Sequence, residues 1–299
     1  MASEIRATDK PWNSATTLYI ARRLQELAGD RQLAVLDLGC GDGTILESVS
    51  GYGHDLYGYD LARKDDEHDD NRRQRLTPFF GDSYDAHIKV TDSERDIPFG
   101  DDSFDVVYAN QVFEHIRFLD RMLGECARVL KPGGTLLVNF PLATYLVEGH
   151  IRVPVAHWLP PGRLRTRYIE LFVRAGFVPR WSGEETYTPA QVARVREAFL
   201  TNRTFYRFMN EVTSVGTHYF ERCNVETDAF LQAKIDLMLA SPRPTASRLG
   251  SILRLLERNG RASSVVTHLV NAAFCMSSPR SEGSPSGADD DRPALGGGS

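Results

Sequence analysis

The chain has 299 residues, 41% of them hydrophobic, and a formal net charge of −5. This composition is typical of a globular protein, and the negative charge argues against a general nucleic-acid binder. No apolar run approaches the roughly 18 residues of a membrane span, and we expect no secretory signal at the amino terminus. The cysteines form no C-x-x-C pair, which indicates reduced thiols and a cytoplasmic protein.

The first predicted elements are a helix over about residues 13–28 and a strand over residues 33–38. Apolar residues recur at helical spacing in the helix, whereas the strand is a short apolar run of the kind found in a buried parallel sheet. Gly39, Gly41 and Gly43 follow the strand and precede a second helix. Glycine lets backbone approach a ligand closely, so this order favours a nucleotide site in a doubly wound sheet.

The glycine spacing distinguishes between possible cofactors. A dinucleotide fingerprint requires G-x-G-x-x-G, but the pattern here is G-x-G-x-G, and Thr44 stands where the third glycine of that fingerprint would be. Asp37 lies just before the turn, where an acid can hold a cationic amino group rather than a pyrophosphate. The alternative is a tight turn with a chance cluster of glycines.

Four further strands are predicted, over residues 55–60, 87–92, 106–109 and 135–141. Asp60 ends the first of them, where a carboxylate can accept hydrogen bonds from both hydroxyls of a ribose. Residues 63–75 are dense in charges of both signs and predict a solvent-facing loop or short helix. We predict no metal site there, because no matching cluster of ligands follows.

Several linked motifs resemble one enzyme family. The pattern D-x-G-x-G-x-G at 37–43 resembles motif I of the class I S-adenosylmethionine methyltransferases. Further segments resemble the methyltransferase type 11 group, to which the ubiquinone and menaquinone biosynthesis methyltransferases belong. These segments are Ile97-Pro98-Phe99, Ser103-Phe104-Asp105, Glu114-His115-Ile116 and residues 128–134. The resemblance, which runs from about residue 33 to residue 141, implies an α/β fold with a doubly wound, Rossmann-like, mostly parallel sheet.

The resemblance also implies S-adenosylmethionine as the cofactor, with S-adenosylhomocysteine as the product. The glycines bring backbone under its amino acid and ribose, and the acids contact its methionine end, its ribose and its adenine. The residues assigned in this way are Asp37, Gly39, Gly41, Gly43, Asp60, Asp92, Ser93 and Asn110. For the adenine, Asp96 is the alternative to Asp92, and Asp92 is preferred because it ends the third strand. Asn110 lies where the fourth strand opens beneath the sulfonium.

The loop after the fifth strand, residues 142–162, is the expected acceptor wall, because ligands bind at the carboxyl ends of parallel strands. Two of its histidines, His150 and His157, are our candidates for a general base, since histidine titrates near neutrality. The alternative is that both bond loop backbone. A metal site of Glu148 with these histidines is disfavoured by spacing alone.

We expect four regions in the chain. They are an N-terminal helix covering the cofactor side (1–30), a methyltransferase domain (31–185) ending in a sixth strand at 177–181, a helical addition or lid (186–277) and a disordered tail (278–299). Helices are predicted in the addition at about 189–200, 204–215, 225–239, 248–256 and 265–274, and the last strand has no clear position. Its aromatic stripe fits a core, a lid over a bulky acceptor or the face of a homodimer.

The predicted function is methyl transfer to a small-molecule acceptor, with a hydroxyl oxygen favoured over carbon or nitrogen. The acceptor classes that we consider are secondary metabolites, sugar conjugates and lipid-linked compounds. A protein that binds the cofactor without turnover, as a partner or regulatory subunit, is the alternative. A nicotinamide-dependent oxidoreductase is disfavoured by the glycine spacing.

Overall fold

A seven-stranded sheet in the order β3-β2-β1-β4-β5-β7-β6 forms the centre of the protein. The computed structural model describes residues 5–7, 14–62, 67–93, 95–258 and 272–280. The strands are β1 (Ala34–Leu38), β2 (Asp55–Leu61), β3 (Ile88–Thr91), β4 (Phe104–Asn110), β5 (Leu130–Phe140), β6 (Phe220–Val225) and β7 (Ala272–Pro279). β1 to β5 are parallel, and β7 is antiparallel to both β5 and β6. The predicted doubly wound, mostly parallel sheet is therefore confirmed.

Helices cover both faces of this sheet. They are α1 (Ala15–Ala28), α2 (Thr44–Val49), α3 (Glu67–Phe80), α4 (Tyr84–His87), α5 (Leu119–Val129), α6 (Arg163–Arg174), α7 (Pro189–Asn202), α8 (Met209–Tyr219), α9 (Thr227–Ala240) and α10 (Pro244–Arg258). Side chains of β1 alternate between two apolar cores, with Val35 packed beneath α1 and α9, and Leu36 packed against α5 and α8. Strand direction and this alternation fix which side chains meet at the carboxyl edge of the sheet.

The last two strands come from the helical addition, in which the last strand had no clear position from the sequence pattern. Residues 177–181 form no strand, and Phe177 is 66% exposed, so the sixth strand predicted there is wrong. The positions beyond β5 are filled instead by β7 and β6. Residues 272–274, predicted as the end of a helix, belong to β7, and residues 265–271 lie outside the described part of the chain. A short apolar run buried on both faces has the same pattern in either structure, which explains the error.

The charge-rich segment after β2 is a helix that contacts the glycine turn. The predicted solvent-facing helix is present, with most of its described residues exposed, but Arg72 is only 1% exposed and departs from that prediction. The Arg72 guanidinium donates to the carbonyl of Gly41 at 2.7 Å. One buried cation of α3 thus contacts the turn, while most of the helix faces water.

Residues 142–208, which we call the insertion, pack around an apolar cluster of their own. The cluster is formed by Ile151, Val153, Ala156, Ile169, Val178, Val192, Ala193 and Leu200. At the end of the chain, β7 continues to Pro279, so the tail predicted from residue 278 begins too early, and residues 281–299 lie outside the described part. Of the helices in the described ranges, none is long and apolar enough to cross a membrane.

Replacement of Gly43 by alanine should destabilise the protein. Gly43 has φ +80°, and a Cβ there would lie 2.7 Å from Cδ1 of the buried Leu76. The left-handed conformation alone costs an L-residue about 1–2 kcal/mol, and the contact with Leu76 adds to this. Urea unfolding of Gly43→Ala should show the loss, whereas Gly51→Ala, which has open space, should unfold like the parent. Equal stability of the two variants would contradict the argument.

Candidate functional site

The glycine turn between β1 and α2 has the backbone conformation that only glycine adopts readily. Gly39, Gly41 and Gly43 have φ of +76°, +54° and +80°. The amides of Gly39 and Cys40 both donate to the carbonyl of Tyr59 on β2, at 2.7 and 3.1 Å. The turn is therefore fixed to the carboxyl edge of the sheet, with its backbone exposed to whatever lies above the edge.

Asp60 lies at the end of β2 against this turn. Its Oδ2 accepts the amide of Gly41 at 2.9 Å, and its Oδ1 accepts the amide of Leu61 at 2.8 Å. Nη1 of Arg72 lies 3.4 Å from Oδ2. The structure thus brings together Asp60 and the turn, which the sequence analysis assigned to one cofactor.

Asp37 is buried below the turn, opposite Tyr108 in the register of β1 and β4. It is 1% exposed, and burial raises the pKa of its carboxyl well above the usual range. Its Oδ2 has no hydrogen-bond partner among the described residues. A cationic group arriving there would provide the missing partner and favour the ionised form.

The predicted adenine-side residues follow β3 and are exposed. Asp92 comes directly after the strand, and the carbonyl of Ser93 accepts the hydroxyl of Tyr59 at 2.7 Å. The alternative acid, Asp96, pairs with Arg121 at 3.2 Å. The preference for Asp92 as the adenine acceptor stays a prediction.

Two asparagines lie side by side where β4 and β5 end. Asn110 is in register with Asn139, and the amide of Gln111 donates to the Asn139 carbonyl at 2.8 Å. Oδ1 of Asn110 and both side-chain polar atoms of Asn139 are buried and lack a partner within the described ranges. Such atoms cost free energy unless a ligand or water meets them, so these tips are candidate binding positions.

The segment that follows β4, residues 111–118, is referred to as the β4 loop. It starts with Gln111 in a left-handed conformation, φ +57°, which is a strained position for a side chain with a Cβ. Val112 packs against the Cα of Gly39, so closely that any Cβ there would overlap it. The cofactor turn and the β4 loop are therefore in direct contact through a glycine.

The insertion forms the other wall and is organised by a buried acid. The carboxylate of Glu148 is fully buried and accepts three bonds, from Nδ1 of His150 (2.7 Å), the amide of Ile151 (2.7 Å) and the hydroxyl of Tyr206. Burial alone would raise the pKa of Glu148, but the bonds from His150 and Tyr206 lower it overall. Burial would lower the pKa of His150, and the bond and charge of Glu148 raise it overall. The two groups form a carboxylate–imidazole pair.

The ring of His150 meets a histidine of the β4 loop. Nε2 of His150 lies 3.2 Å from Nε2 of His115. Nδ1 of His115 lies 2.6 Å from the carbonyl of Arg203. Each Nδ1 faces an oxygen acceptor, which favours hydrogen on Nδ1 of both rings, and a proton on either Nε2 would then be shared with the other Nε2 at 3.2 Å. The space between the two Nε2 atoms is therefore suited to a proton or another positively charged group.

Glu114 is buried beside that pair. It is 0% exposed, and both carboxylate oxygens lack a hydrogen-bond partner in the described part of the chain. Burial raises its pKa to about 7. One oxygen of Glu114 and a ring nitrogen of each histidine lie within 4.8 Å of one another, and together they could hold a metal ion.

His157, the other candidate base, lies apart from this pair. Its Nε2 is 3.2 Å from the carbonyl of Ala143, and its ring packs against Tyr206 with centroids 4.8 Å apart. Burial lowers its pKa. The sequence analysis left open the alternative that both histidines bond loop backbone. The contacts of His157 favour that alternative for this residue.

The comparisons with known proteins agree with this geometry. Residues 36–138 match the family model described as a methyltransferase domain. The chain carries a class I methyltransferase domain. S-adenosylmethionine is therefore the cofactor of this domain, as the resemblance implied, and the domain is similar to those of the methyltransferase type 11 group.

Two curated relatives illustrate the range of this family. The ubiquinone biosynthesis O-methyltransferase of Sinorhizobium medicae is 30% identical over 174 residues, which cover 54% of this chain and 66% of that protein. The sterol 4-C-methyltransferase of Caenorhabditis elegans is 34% identical over 103 residues, which cover 34% of this chain and 29% of that protein. The chain thus spans less than two thirds of the length of each of these relatives.

Among solved structures, phosphoethanolamine N-methyltransferase 2 of Haemonchus contortus has a TM-score of 0.47 at 16% sequence identity. The comparison covers 90% of this chain and 53% of that chain.

In this methyltransferase domain, the cofactor half of the site fits S-adenosylmethionine. The turn has the glycine conformation that a close ligand needs, and the buried oxygen of Asp37 lacks a cationic partner. Three residues that sequence reasoning did not assign also lie at the site, namely Tyr206, Asn139 and Arg72. None of them belongs to a spacing pattern, because their contacts join segments far apart in the chain.

The methyltransferase should depend on Asp60 for cofactor affinity. Asp60→Ala removes the carboxylate predicted to hold the ribose and also the acceptor for the Gly41 amide. Calorimetry with S-adenosylmethionine should show affinity at least about tenfold weaker, as expected for loss of a charge-assisted bond. The control is Asp101→Ala, whose exposed side chain pairs with Arg128 away from the turn. Unchanged affinity in Asp60→Ala would remove the assignment.

Proposed function

We propose that the protein transfers the methyl group of S-adenosylmethionine to a hydroxyl oxygen of a small-molecule acceptor. The observation that carries this proposal is the buried carboxylate of Glu148 bonded to Nδ1 of His150, whose Nε2 faces the β4 loop. A carboxylate that fixes the orientation of an imidazole is the arrangement of a general base. A hydroxyl acceptor has to lose a proton as the methyl arrives, whereas carbon and nitrogen acceptors often do not need a base for this step.

The chain's own contribution on the cofactor side is alignment. Asp37 meets the cationic end of the cofactor, Asp60 accepts from the ribose, and the glycine turn lets backbone lie beneath both. Bound S-adenosylmethionine supplies a methyl group on a good leaving group. Holding the acceptor in line with that methyl can contribute about 7–11 kcal/mol in favourable cases, so the residues need only place the two partners and remove a proton.

On the acceptor side, the proton of the hydroxyl passes to the two-histidine point. His150 and His115 each keep hydrogen on Nδ1, so a proton arriving at Nε2 is shared by two lone pairs 3.2 Å apart. The positive charge formed there is stabilised by the carboxylate of Glu148. His150 is therefore our candidate base in preference to His157, although both were proposed from the sequence.

The acceptor is expected to have an apolar or aromatic part. The ring of Phe199 lies 5.2 Å from the ring of His150, and Tyr206 bonds the same carboxylate as His150. Secondary metabolites, sugar conjugates and lipid-linked compounds stay the candidate classes. The relatives methylate oxygen or carbon according to their names, so the hydroxyl assignment depends on the histidines and not on the family. A cytoplasmic location and a homodimer also stay predictions.

Replacement of His150 tests the proposed base. His150→Gln should lower the transfer of label from methyl-labelled S-adenosylmethionine into the small-molecule fraction of a cell extract by about 10²-fold or more. His157→Gln is the matched control and should keep most of the activity. Both variants should bind the cofactor normally, which calorimetry checks. Equal labelling by parent and His150→Gln would show that this ring takes no part in the transfer.

A metal-assisted form of the same transfer is the second candidate, favoured by the position of Glu114. Its unpartnered carboxylate and the two Nε2 atoms form a set of ligands suited to a divalent cation. Glu148 contacts Nδ1 of His150, and the Arg203 carbonyl contacts Nδ1 of His115. At metal sites, hydrogen bonds of this kind to the nitrogen that does not bind the metal orient the histidine rings. A cation there would make a bound hydroxyl more acidic.

Chelation separates the two candidates. Because we favour the direct role of His150, we expect label transfer to stay within about twofold after dialysis against EDTA. A tenfold loss that zinc or manganese restores would support the cation instead. Glu114→Gln, which keeps the shape and removes the charge, should then abolish the restoration.

A further inference from the structure

Two distant segments of the chain lie side by side at the acceptor half of the site. One is the β4 loop, and the other is residues 203–208 between α7 and α8, which we call the strap. The amide of Phe205 donates to the carbonyl of Glu114 at 2.6 Å, and the carbonyl of Arg203 accepts from Nδ1 of His115 at 2.6 Å. Through these bonds the strap joins the end of the insertion to the β4 loop, which carries Glu114 and His115.

Arg207 is the strap residue that joins the two segments. It is 5% exposed, and its guanidinium donates to four backbone carbonyls, three in the β4 loop and one in the strap. The acceptors are the carbonyls of Phe113 (3.0 Å), Ile116 (2.6 Å), Arg117 (3.0 Å) and Phe205 (2.7 Å). The carboxylate of Glu211 lies 3.5 Å from Nε on a half-exposed side chain. The backbone carbonyls are therefore the main partners of this cation.

This arrangement needs an arginine. Three carbonyl oxygens of one short loop converge on a single point, where they repel one another unless a donor satisfies them. A guanidinium offers five N–H groups in one plane, whereas the ammonium of lysine offers three on one atom. Only the planar group can reach carbonyls on both segments together.

The clamped carbonyls flank the residues that matter for the proposed reaction. Phe113 precedes Glu114 and His115 in the chain, and Ile116 follows them. With backbone fixed on both sides, the ring of His115 stands 3.2 Å from Nε2 of His150.

We propose that Arg207 is a positioning residue, which holds the β4 loop so that His115 lies against His150. It acts through His115, because its guanidinium is occupied by the backbone carbonyls of the β4 loop and the strap. This inference rests on the proposed function for its consequence, because a misplacement of about 1 Å can cost about 10²-fold in rate. The position of the rings can nevertheless be measured without turnover.

The ring contact between the two histidines is the most direct readout. Their centroids are 4.9 Å apart, so ring protons of His115 and His150 should give a nuclear Overhauser effect in protein with labelled histidine. His115→Gln and His150→Gln assign the signals. In Arg207→Ala the effect should disappear, and amides of the β4 loop should exchange at least about tenfold faster.

Chemical rescue distinguishes positioning from general loosening. Guanidinium at a few millimolar should restore the ring contact in Arg207→Ala, whereas sodium chloride at the same ionic strength should not. Arg165→Ala is the matched control, because Arg165 is also a buried arginine of the insertion but pairs with Glu197 at 2.9 Å. That variant should keep the ring contact and should not respond to guanidinium.

Arg207→Lys decides the matter if Arg207→Ala does not fold. It keeps the charge and loses the planar donors, so we expect a folded protein whose ring contact falls to less than about half. An unchanged contact in a folded Arg207 variant, or an equal loss in Arg165→Ala, would overturn the inference. If the rings respond as expected and no hydroxyl is methylated, the proposed function fails while the role of Arg207 stands.

Discussion

The buried carboxylate of Glu148 is the interaction on which the acceptor half of the site depends. Burying an ionised carboxylate costs free energy unless its oxygens are satisfied, and here the partners come from His150, Ile151 and Tyr206. Tyr206 lies 58 residues beyond Glu148 in the chain. The insertion therefore has to fold back on itself before the charge can be buried, and this requirement fixes where the His150 ring points.

In the cofactor half, the backbone of the glycine turn makes the contact with the acceptor half. Gly39 has no Cβ, so Val112 of the β4 loop can pack directly on the cofactor turn. A shift of the turn is consequently felt by the loop that carries Glu114 and His115. The two halves of the site meet at this contact. The turn that follows β1 can therefore influence the position of groups in the loop that follows β4.

Local pattern was enough to predict β1 to β5, because each is an apolar run followed by turn residues. The turn after β1 was predicted from the spacing of its three glycines. β7 was missed since an apolar run such as Ala272 to Met276 has no period that separates strand from helix. Arg72 was predicted to face solvent, because the charge density of a segment does not indicate which of its arginines will bond a neighbouring carbonyl and become buried. Glu148 and His150 pair across a separation of two residues in one loop, but the contact of His150 with His115 depends on how the insertion returns to the sheet.

A division of labour follows from these contacts. The sheet and its glycine turn hold a cofactor that brings its own reactivity, so this half has little reason to vary. The insertion has a separate apolar cluster and reaches the sheet through the strap. Its lining can therefore change with the acceptor while the bonds from Arg207 keep the β4 loop in place. Because methyl transfer needs alignment more than chemical assistance, the residues that fix the distance between the two halves matter as much as the base itself.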